Sequence, residues 1–280
     1  MRLSILSIAV FSIITASSAH AENATSHFSV LDVGQIAVEA ELTGTKRNGD
    51  EIARSTSVLL SDGRPAFSGA FRSYSSSLFA NTYIGLGNNF ELSASLPYII
   101  RNYTETSFNN GVDYVHNKDG FSDLSLGLKY RAFNSADGND AVLFKGAVMH
   151  HSSSVGNIHV DVDYLHVFSS SVKAGIDLYY NKAQGNADSF GATNYLMFEV
   201  SPVISITPFA SIGRQQNHAV YSPYNYYSGG LELSYIPART WRITPEISFL
   251  HINEIYNNFF ANNSGPQHSL TGTFFVRKTF

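Results

Sequence analysis

The feature that most constrains this chain is an alternation of apolar and polar residues that persists from about residue 70 onward. In FSDLSLGLKYRAF (121–133), every second residue from Leu124 to Ala132 is apolar, and the residues between them are Ser, Gly, Lys and Arg. A period of two is the period of a β-strand whose faces meet different surroundings. A protein core could not hold the charges of the polar face. The pattern therefore predicts strands that separate water from an apolar medium.

The alternation predicts twelve strands, at residues 34–43, 71–86, 89–103, 120–133, 140–151, 157–169, 171–181, 189–200, 203–214, 225–236, 240–251 and 268–280. Long connections such as 44–70 and 104–119 alternate with short ones such as Gly87-Asn88. This arrangement is typical of an up-and-down meander whose two ends face different compartments.

A soluble β-sandwich also alternates apolar and polar residues, but its strands are usually about five or six residues long. Most of the predicted strands have ten residues or more, and a strand needs about nine to eleven to cross a bilayer. Aromatic residues recur near the predicted strand ends, where interfacial girdles would lie: Tyr98, Tyr130, Phe133, Phe168, Tyr179, Tyr180, Tyr235 and Trp241. Because an open sheet edge in lipid would leave backbone groups unbonded, the sheet must close. We predict an all-β, antiparallel, up-and-down transmembrane β-barrel of about twelve strands over residues 34–280.

The first 21 residues have the three-part pattern of a secretory signal peptide. Arg2 precedes an apolar stretch that begins at Leu3, and small residues lead to Ala19-His20-Ala21. The apolar stretch is shorter than the roughly 20 residues of a membrane-spanning helix. We expect residues 1–21 to be cleaved and residues 22–33 to form an N-terminal segment in the periplasm or in the lumen. The expected location is the cell outer membrane.

Composition excludes several classes of function. Without residues 1–21 the chain has 17 basic and 22 acidic residues and a formal charge of −5, with no basic run, so we expect no nucleic-acid partner. There is no cysteine for a disulfide or a thiolate metal cluster. No glycine-rich phosphate loop and no HExxH motif occurs. We predict no cofactor, no bound metal and no enzymatic activity.

If the apolar face meets lipid, the other face lines the lumen. The predicted lumen-lining residues are Glu91, Arg101, Asp123, Lys129, Arg131, Lys145, His159, Asp161, Asp163, Lys173, Asp177, Glu199, Glu232, Arg242, Glu246 and Arg277. Two interpretations stay open: these groups pair across strands and hold a wet wall together, or they form a polar path for solutes. The signs are mixed, so no strong ion selectivity is expected. Twelve strands make a narrow barrel.

One stretch carries an alternative function as an enzyme. Outer-membrane phospholipase A and lipid A deacylases have a His-x-Ser pair on a strand, and His150 and Ser152 resemble it, with the serine as nucleophile and the histidine as base. Those families follow the serine with Asn, where this chain has Ser153. Nearby, His159, Asp161 and Asp163 share a face, but an alternating polar wall produces such a trio by default.

Two stretches, NTYIGLGNNFELSASLPYI (81–99) and GFSDLSLGLKYRAF (120–133), resemble the outer-membrane "MetA-pathway of phenol degradation" family. The matching residues are Tyr83, Gly85, Leu86, Glu91, Leu92, Leu96, Pro97, Tyr98, Gly120, Asp123, Leu126, Gly127, Lys129 and Tyr130. Family members commonly have Gly-Leu-Gly-Asp where this chain has Gly-Phe-Ser-Asp, and the match covers about 50 residues. The resemblance implies a transporter, in some members linked to gene clusters for breaking down aromatic compounds.

The last predicted strand resembles the C-terminal strands of outer-membrane barrels in general, which end in Phe and are recognised by the barrel assembly machinery. Phe280, Val276 and Phe274 match that pattern, and Lys278 departs from it. We expect this strand to pair with the first, and deletion of Phe280 to impair assembly but not export.

The leading hypothesis is an outer-membrane transporter or channel for passive uptake of small molecules, aromatic or apolar ones among them. The alternatives are a structural or ligand-binding barrel with a plugged lumen, and the lipid esterase that would use His150 and Ser152. The expected partners are outer-membrane lipid, the barrel assembly machinery and a small-molecule solute.

Overall fold

The computed structural model describes residues 29–53, 67–108, 113–151, 154–183, 188–216, 222–253, 255–257 and 262–280. This part of the chain is all-β. Its strands are β1 (Ile36–Ala53), β2 (Phe67–Gly87), β3 (Phe90–Phe108), β4 (Asp113–Phe121), β5 (Ser125–Asn134), β6 (Asp140–His151), β7 (Ser154–Ser169), β8 (Val172–Ala183), β9 (Ser189–Ser201), β10 (Ile204–Gln215), β11 (Tyr224–Ala238), β12 (Trp241–Ile252), β13 (Ile255–Asn257) and β14 (Asn262–Thr279). In these residues, no helix is long and apolar enough to span a membrane.

Twelve of the strands form a closed antiparallel barrel. Neighbours in sequence are neighbours in the sheet, except that β5 follows β3 and β14 follows β12 around the ring. The first and last strands close the ring, with Ala37 opposite Thr279 and Gly44 opposite Gly272. Among the described residues, β4 pairs only with β3 and β13 only with β14. The predicted up-and-down barrel of twelve strands, closed between its first and last strands, is confirmed.

The two ends of the barrel differ in their connections. Five short connections lie at one end, which we call the turn end: residues 88–89, 135–139, 170–171, 202–203 and 239–240. The start of β1 and the end of β14 lie there too, where the Phe280 N–H donates to the Ile36 carbonyl at 2.7 Å. The opposite end, which we call the loop end, has the longer connections, with the two-residue link between β6 and β7 as an exception.

Each strand presents one face to the interior of the barrel and one to the outside. On β1, Glu39, Glu41 and Thr43 are buried, whereas Val38 and Leu42 are almost half exposed. Successive side chains of a strand point to opposite faces, so the pleat alone explains this separation. The outward residues are exposed because none of the described residues covers them. The core is therefore the barrel interior, and it contains many charged groups.

Several strands extend further toward the loop end than the sequence predicted. β1 continues to Ala53 instead of ending at 43, and β14 begins at Asn262 instead of 268. The predicted loop 104–119 contains the end of β3 and most of β4, and the predicted strand 120–133 is interrupted at residues 122–124. The cause is visible on β1, where the outward residues become polar at Lys46 and Asn48 while backbone pairing continues. Hydrophobic periodicity marks where the apolar outer surface stops and not where the strands stop.

The predicted signal peptide, residues 1–21, lies outside the described residues, as do residues 22–28 of the predicted N-terminal segment.

Candidate functional site

The barrel interior is the candidate site, because it encloses many charged side chains. Eight of the predicted lumen-lining residues are buried: Glu91, Lys129, Asp161, Asp163, Asp177, Glu232, Glu246 and Arg277. A further seven are partly buried: Asp123, Arg131, Lys145, His159, Lys173, Glu199 and Arg242. Asp123 lies in the interruption between β4 and β5, and the other six lie on inward positions of their strands. The sixteenth predicted residue, Arg101, lies elsewhere.

Arg101 is exposed on the outer face, so its prediction as a lumen-lining residue is wrong. The cause is a β-bulge: Ser77 of β2 pairs with Ile99, but Ser76 pairs with Arg101, which leaves Ile100 as an extra residue in β3. One extra residue exchanges the two faces of a strand. Ile99 precedes the extra residue, points inward like Glu91 and is fully buried, while Arg101 follows it and stacks on the outward ring of Tyr103 at 5.1 Å.

At the turn end, the interior contains an ion pair between neighbouring strands. Glu91 of β3 lies directly opposite Lys129 of β5, and their charged atoms are 3.2 Å apart. The same two groups bind the N-terminal segment. The Leu31 N–H donates to Glu91 Oε2 at 2.9 Å, and Lys129 Nζ donates to the Ser29 carbonyl at 3.3 Å. Glu91 and Lys129 thus hold residues 29–31 inside the barrel.

Packing and backbone contacts fix the same segment. Val30 packs against the apolar interior side chains of Ala141, Leu143, Tyr195 and Met197, which we call the Met197 cluster. The Gly34 N–H donates to the Gly85 carbonyl at 3.0 Å, and the Gly85 N–H donates to the backbone carbonyl of Gln35 at 2.9 Å. A Cβ atom at Gly85 would overlap the backbone carbonyl of Asp32. Gly85 is therefore the position where the wall allows the N-terminal segment to lie against it.

The strands β6 to β8 carry a second group of charges near the middle of the interior. Lys145 Nζ lies 2.8 Å from Asp163, and His159 Nε2 lies 2.6 Å from Asp161. His159 also contacts Asn181 through its other ring nitrogen. Among the described residues, no group of three or more His, Asp or Glu side chains has a geometry that could hold a metal ion. Asp163 pairs across strands with Lys145, whereas His159 and Asp161 pair with each other along β7.

The opposite wall, made by β1, β2, β11, β12 and β14, is also charged. Glu232 lies directly opposite Glu246, and Arg242 directly opposite Arg277. Glu39 accepts hydrogen bonds from Asn81 at 3.0 Å and Tyr83 at 3.1 Å. Sequence reasoning missed the buried Glu39 and Glu41. The alternation of β1 would have found them, since both fall on the same face as Thr43.

The loop-end half of the interior contains an aromatic cluster that sequence reasoning missed. Tyr179, Tyr224, Tyr226, Leu250 and Ile252 are buried together, and we call them the tyrosine cluster. The hydroxyls of Tyr179 and Tyr226 are 2.9 Å apart. A Cβ atom at Gly213 would overlap both of these tyrosines, so the absence of a side chain there makes room for them. The prediction that Tyr179 belongs to an interfacial girdle is wrong.

The remaining predicted residues are peripheral. Lys173 and Glu199 form an ion pair at the turn end, where both side chains remain partly exposed. His150 lies on β6, but its side chain and Ser152 are outside the described residues. The esterase alternative accordingly stays a prediction.

No family model and no curated protein matches the chain. Among solved structures, it is similar to the COG4313 outer membrane channel from Pseudomonas putida F1, at 11% identity and a TM-score of 0.63, over 92% of this chain and 100% of that one. It is also similar to the translocator domain of autotransporter NalP from Neisseria meningitidis, at 14% identity and a TM-score of 0.51, over 98% of both chains. These likenesses concern the barrel fold.

The resemblance to the phenol-degradation family rests on the residues quoted above. The two stretches that carry it lie on the adjacent strands β2–β3 and β5. Glu91 and Lys129, one from each stretch, form the ion pair that binds the N-terminal segment.

Proposed function

We propose that this protein is an outer-membrane β-barrel channel for the passive uptake of small molecules. The observation that carries the proposal is the closed ring of twelve strands with an apolar outer face and a charged, enclosed interior. In a bilayer the outer face meets lipid and the closed ring leaves no strand edge unbonded. The interior then gives polar and small solutes a route that lipid does not.

The height of the apolar outer face supports the placement in a membrane. On β12 the outward residues from Trp241 to Phe249 are all apolar, and the next outward residue is His251, ten residues beyond Trp241. At about 3.3 Å per residue and a strand tilt of about 35–45°, this spans roughly 25 Å along the barrel axis. That is about the height of the apolar band of outer-membrane barrels. Outer-membrane barrels have short turns on the periplasmic side, so we place the turn end in the periplasm.

The tyrosine cluster and the Met197 cluster support a solute with an apolar or aromatic part. They lie on the two sides of the charged middle of the interior, so a permeating molecule would meet apolar walls before and after it. The tyrosine rings can stack on an aromatic ring of the solute, and the hydroxyls of Tyr179 and Tyr226 can form hydrogen bonds with a polar substituent on it.

Single-channel recording on the reconstituted full chain tests the proposal, with Gly85→Val as the informative variant. Because a side chain at Gly85 would overlap the backbone of Asp32, the N-terminal segment must shift and we expect higher conductance. Gly272→Val is the matched control, since a Cβ atom there has no neighbour within 4 Å. Absence of conductance in all three proteins would contradict a channel.

A barrel with a plugged interior is the second candidate, and the contacts of residues 29–31 with Glu91 and Lys129 favour it. In that case Gly85→Val would remain non-conducting, and aromatic solutes would bind without crossing a vesicle membrane. Liposome-swelling rates with phenol-sized solutes separate binding from passage. Hydrolysis of phospholipid that is abolished by Ser152→Ala would contradict both candidates.

A further inference from the structure

The outer face carries a row of polar and aromatic residues where the apolar band ends at the loop end. Tyr227, His251, His268, Asn48 and Arg72 are successive cross-strand partners on β11, β12, β14, β1 and β2, and we call them the loop-end row. Tyr227, His268, Asn48 and Arg72 are exposed, and His251 is partly exposed. The row is continuous because each member lies directly opposite the next.

The boundary falls at the same cross-strand register on β12, β14 and β1, where Phe249, Leu270 and Lys46 are successive partners. Below His268 the outward residues of β14 are Leu270, Gly272, Phe274 and Val276, and below Lys46 those of β1 are Gly44, Leu42, Ala40, Val38 and Ile36. Lys46 lies one outward position below Asn48, with its ammonium 6.0 Å from the ring of Tyr74. A lysine at such a position extends its charge along the strand to the water boundary. The row therefore begins where the apolar outer face of these strands ends.

The two histidines form a donor pair. Their Nδ1 atoms are 3.1 Å apart and their ring centroids 4.7 Å apart. When both rings are neutral, one Nδ1 donates and the other accepts, and the accepting ring carries its proton on Nε2. That Nε2–H takes no part in the pair and can donate to an anion. Tyr227 stacks on His251 and Phe249 on His268, which fixes both rings.

Two exposed cations, Lys46 and Arg72, lie in this region, and one carboxylate, Glu105 on β3, lies directly opposite Arg72. Glu105 accepts from the Tyr103 hydroxyl at 3.4 Å and marks one limit of the basic surface. Together with Lys46, the row from His251 to Arg72 offers two fixed positive charges and an imidazole donor over four adjacent strands. Guanidinium, ammonium and imidazole N–H groups are the donors that bind phosphate oxygens.

We propose that the loop-end row, with Lys46, binds the phosphate group of a phosphorylated glycolipid of the outer leaflet, of the lipid A type. Its acyl chains would lie on the apolar faces of β12, β14 and β1 directly below the row. Charge complementarity selects the headgroup, and the apolar surface below the row selects a lipid over a soluble anion. The inference rests on the proposed placement in the outer membrane, but it does not depend on transport.

Binding of purified lipid A to the detergent-solubilised full chain tests the proposal, with the same lipid after removal of its phosphates as the comparison. A chelator is present throughout to exclude a metal held by the two histidines. The test variant is Lys46→Gln/Arg72→Gln/His268→Gln. The matched control is Lys182→Gln/Lys278→Gln, which removes two outer-face cations away from the row. Heat-modifiable migration of each protein checks that the barrel is folded.

We expect the wild type and the control to prefer the phosphorylated lipid by about tenfold or more, and the test variant to lose that preference. Excess inorganic phosphate should not displace the lipid. Equal binding of both lipids by the wild type, a preserved preference in the test variant, or displacement by inorganic phosphate would overturn the proposal. Single-channel conductance of the test variant should equal that of the wild type. A protein that conducts nothing but keeps the lipid preference would contradict the channel and leave this inference standing.

Discussion

The two faces of the barrel wall are built from the same strands but obey opposite rules. On β3, Glu91 points inward and is almost fully buried beside Lys129, whereas its neighbour Leu92 points outward and is 41% exposed. In a soluble protein these positions would be reversed. In this barrel, a side chain that other residues bury can be charged, and a side chain that no residue covers can be apolar. The inner face must satisfy its charges by pairing, and the outer face must avoid charge within the apolar band.

The inner face should respond most strongly to loss of one member of a buried pair. Lys129→Met leaves Glu91 enclosed without its cation, and we expect a loss of about 3–5 kcal/mol in the free energy of unfolding. Urea titration in lipid vesicles measures it. Lys173→Met is the matched control, because its pair with Glu199 is partly exposed and should contribute about 0–1 kcal/mol. Equal losses in the two variants would show that the interior is as well hydrated as the rim.

The outer face should respond to a charge according to its depth. Leu42 lies near the middle of the apolar band on β1, and Leu42→Arg should cost about 2–4 kcal/mol, since lipid solvates the guanidinium poorly. Asn48→Arg, in the loop-end row, should cost about 0–1 kcal/mol by the same measurement. If the two substitutions cost the same, the apolar outer face would not be in contact with lipid.

The smallest effect is expected at the turn end, where the wall meets water. In the turn between β5 and β6, the Ser135 hydroxyl donates to Asp137 at 2.5 Å and the Asn139 N–H donates to it at 3.1 Å. These hydrogen bonds lower the pKa of Asp137, the Ser135 bond most strongly. A folded-state pKa below the unfolded one stabilises the protein above about pH 4, and this contribution is lost as the pH falls through the folded-state pKa.

The corresponding experiment compares Asp137→Asn with the wild type. The variant should lower the Tm slightly at pH 7, and by less as the pH falls through the folded-state pKa, where the wild-type carboxyl also becomes neutral. A larger difference at pH 3 than at pH 7 would contradict the assignment of these hydrogen bonds to the ionised form.

Most of the barrel could be predicted from the sequence because membrane strands need two unlike faces. The alternation of polar and apolar residues is enough to place Glu91, Lys129 and Asp163 on the inward face. It failed at Arg101 because Ile99 and Ile100 are both apolar, so the sequence pattern gives no sign of the extra residue. The bulge is determined by the register of β2 against β3, which is a property of the pair of strands and not of either strand alone.

The interior was predicted less completely than the wall. The prediction of a polar inward face did not include the tyrosine cluster. Tyr179 nevertheless lies on the same face of β8 as Lys173 and Asp177, because it follows both at an even number of residues. The position of residues 29–31 depends on Glu91, Lys129 and Gly85 meeting in space, and no local pattern in that segment encodes it. Contacts between distant parts of the chain are what periodicity cannot supply.

The pairing of Ala37 with Thr279 has a consequence for the order of folding. Hairpins such as β7–β8 bring near neighbours in sequence together, but the pairing of β1 with β14 joins strands that are far apart in sequence. Contacts of such long range form slowly, because the loop-closure entropy is lost before the contact stabilises the chain. Until β14 is in place, β1 presents an unsatisfied edge that can pair with other chains. The nascent barrel is therefore most prone to aggregation just before it closes, and a helper that covers the edge of β1 would act at that step.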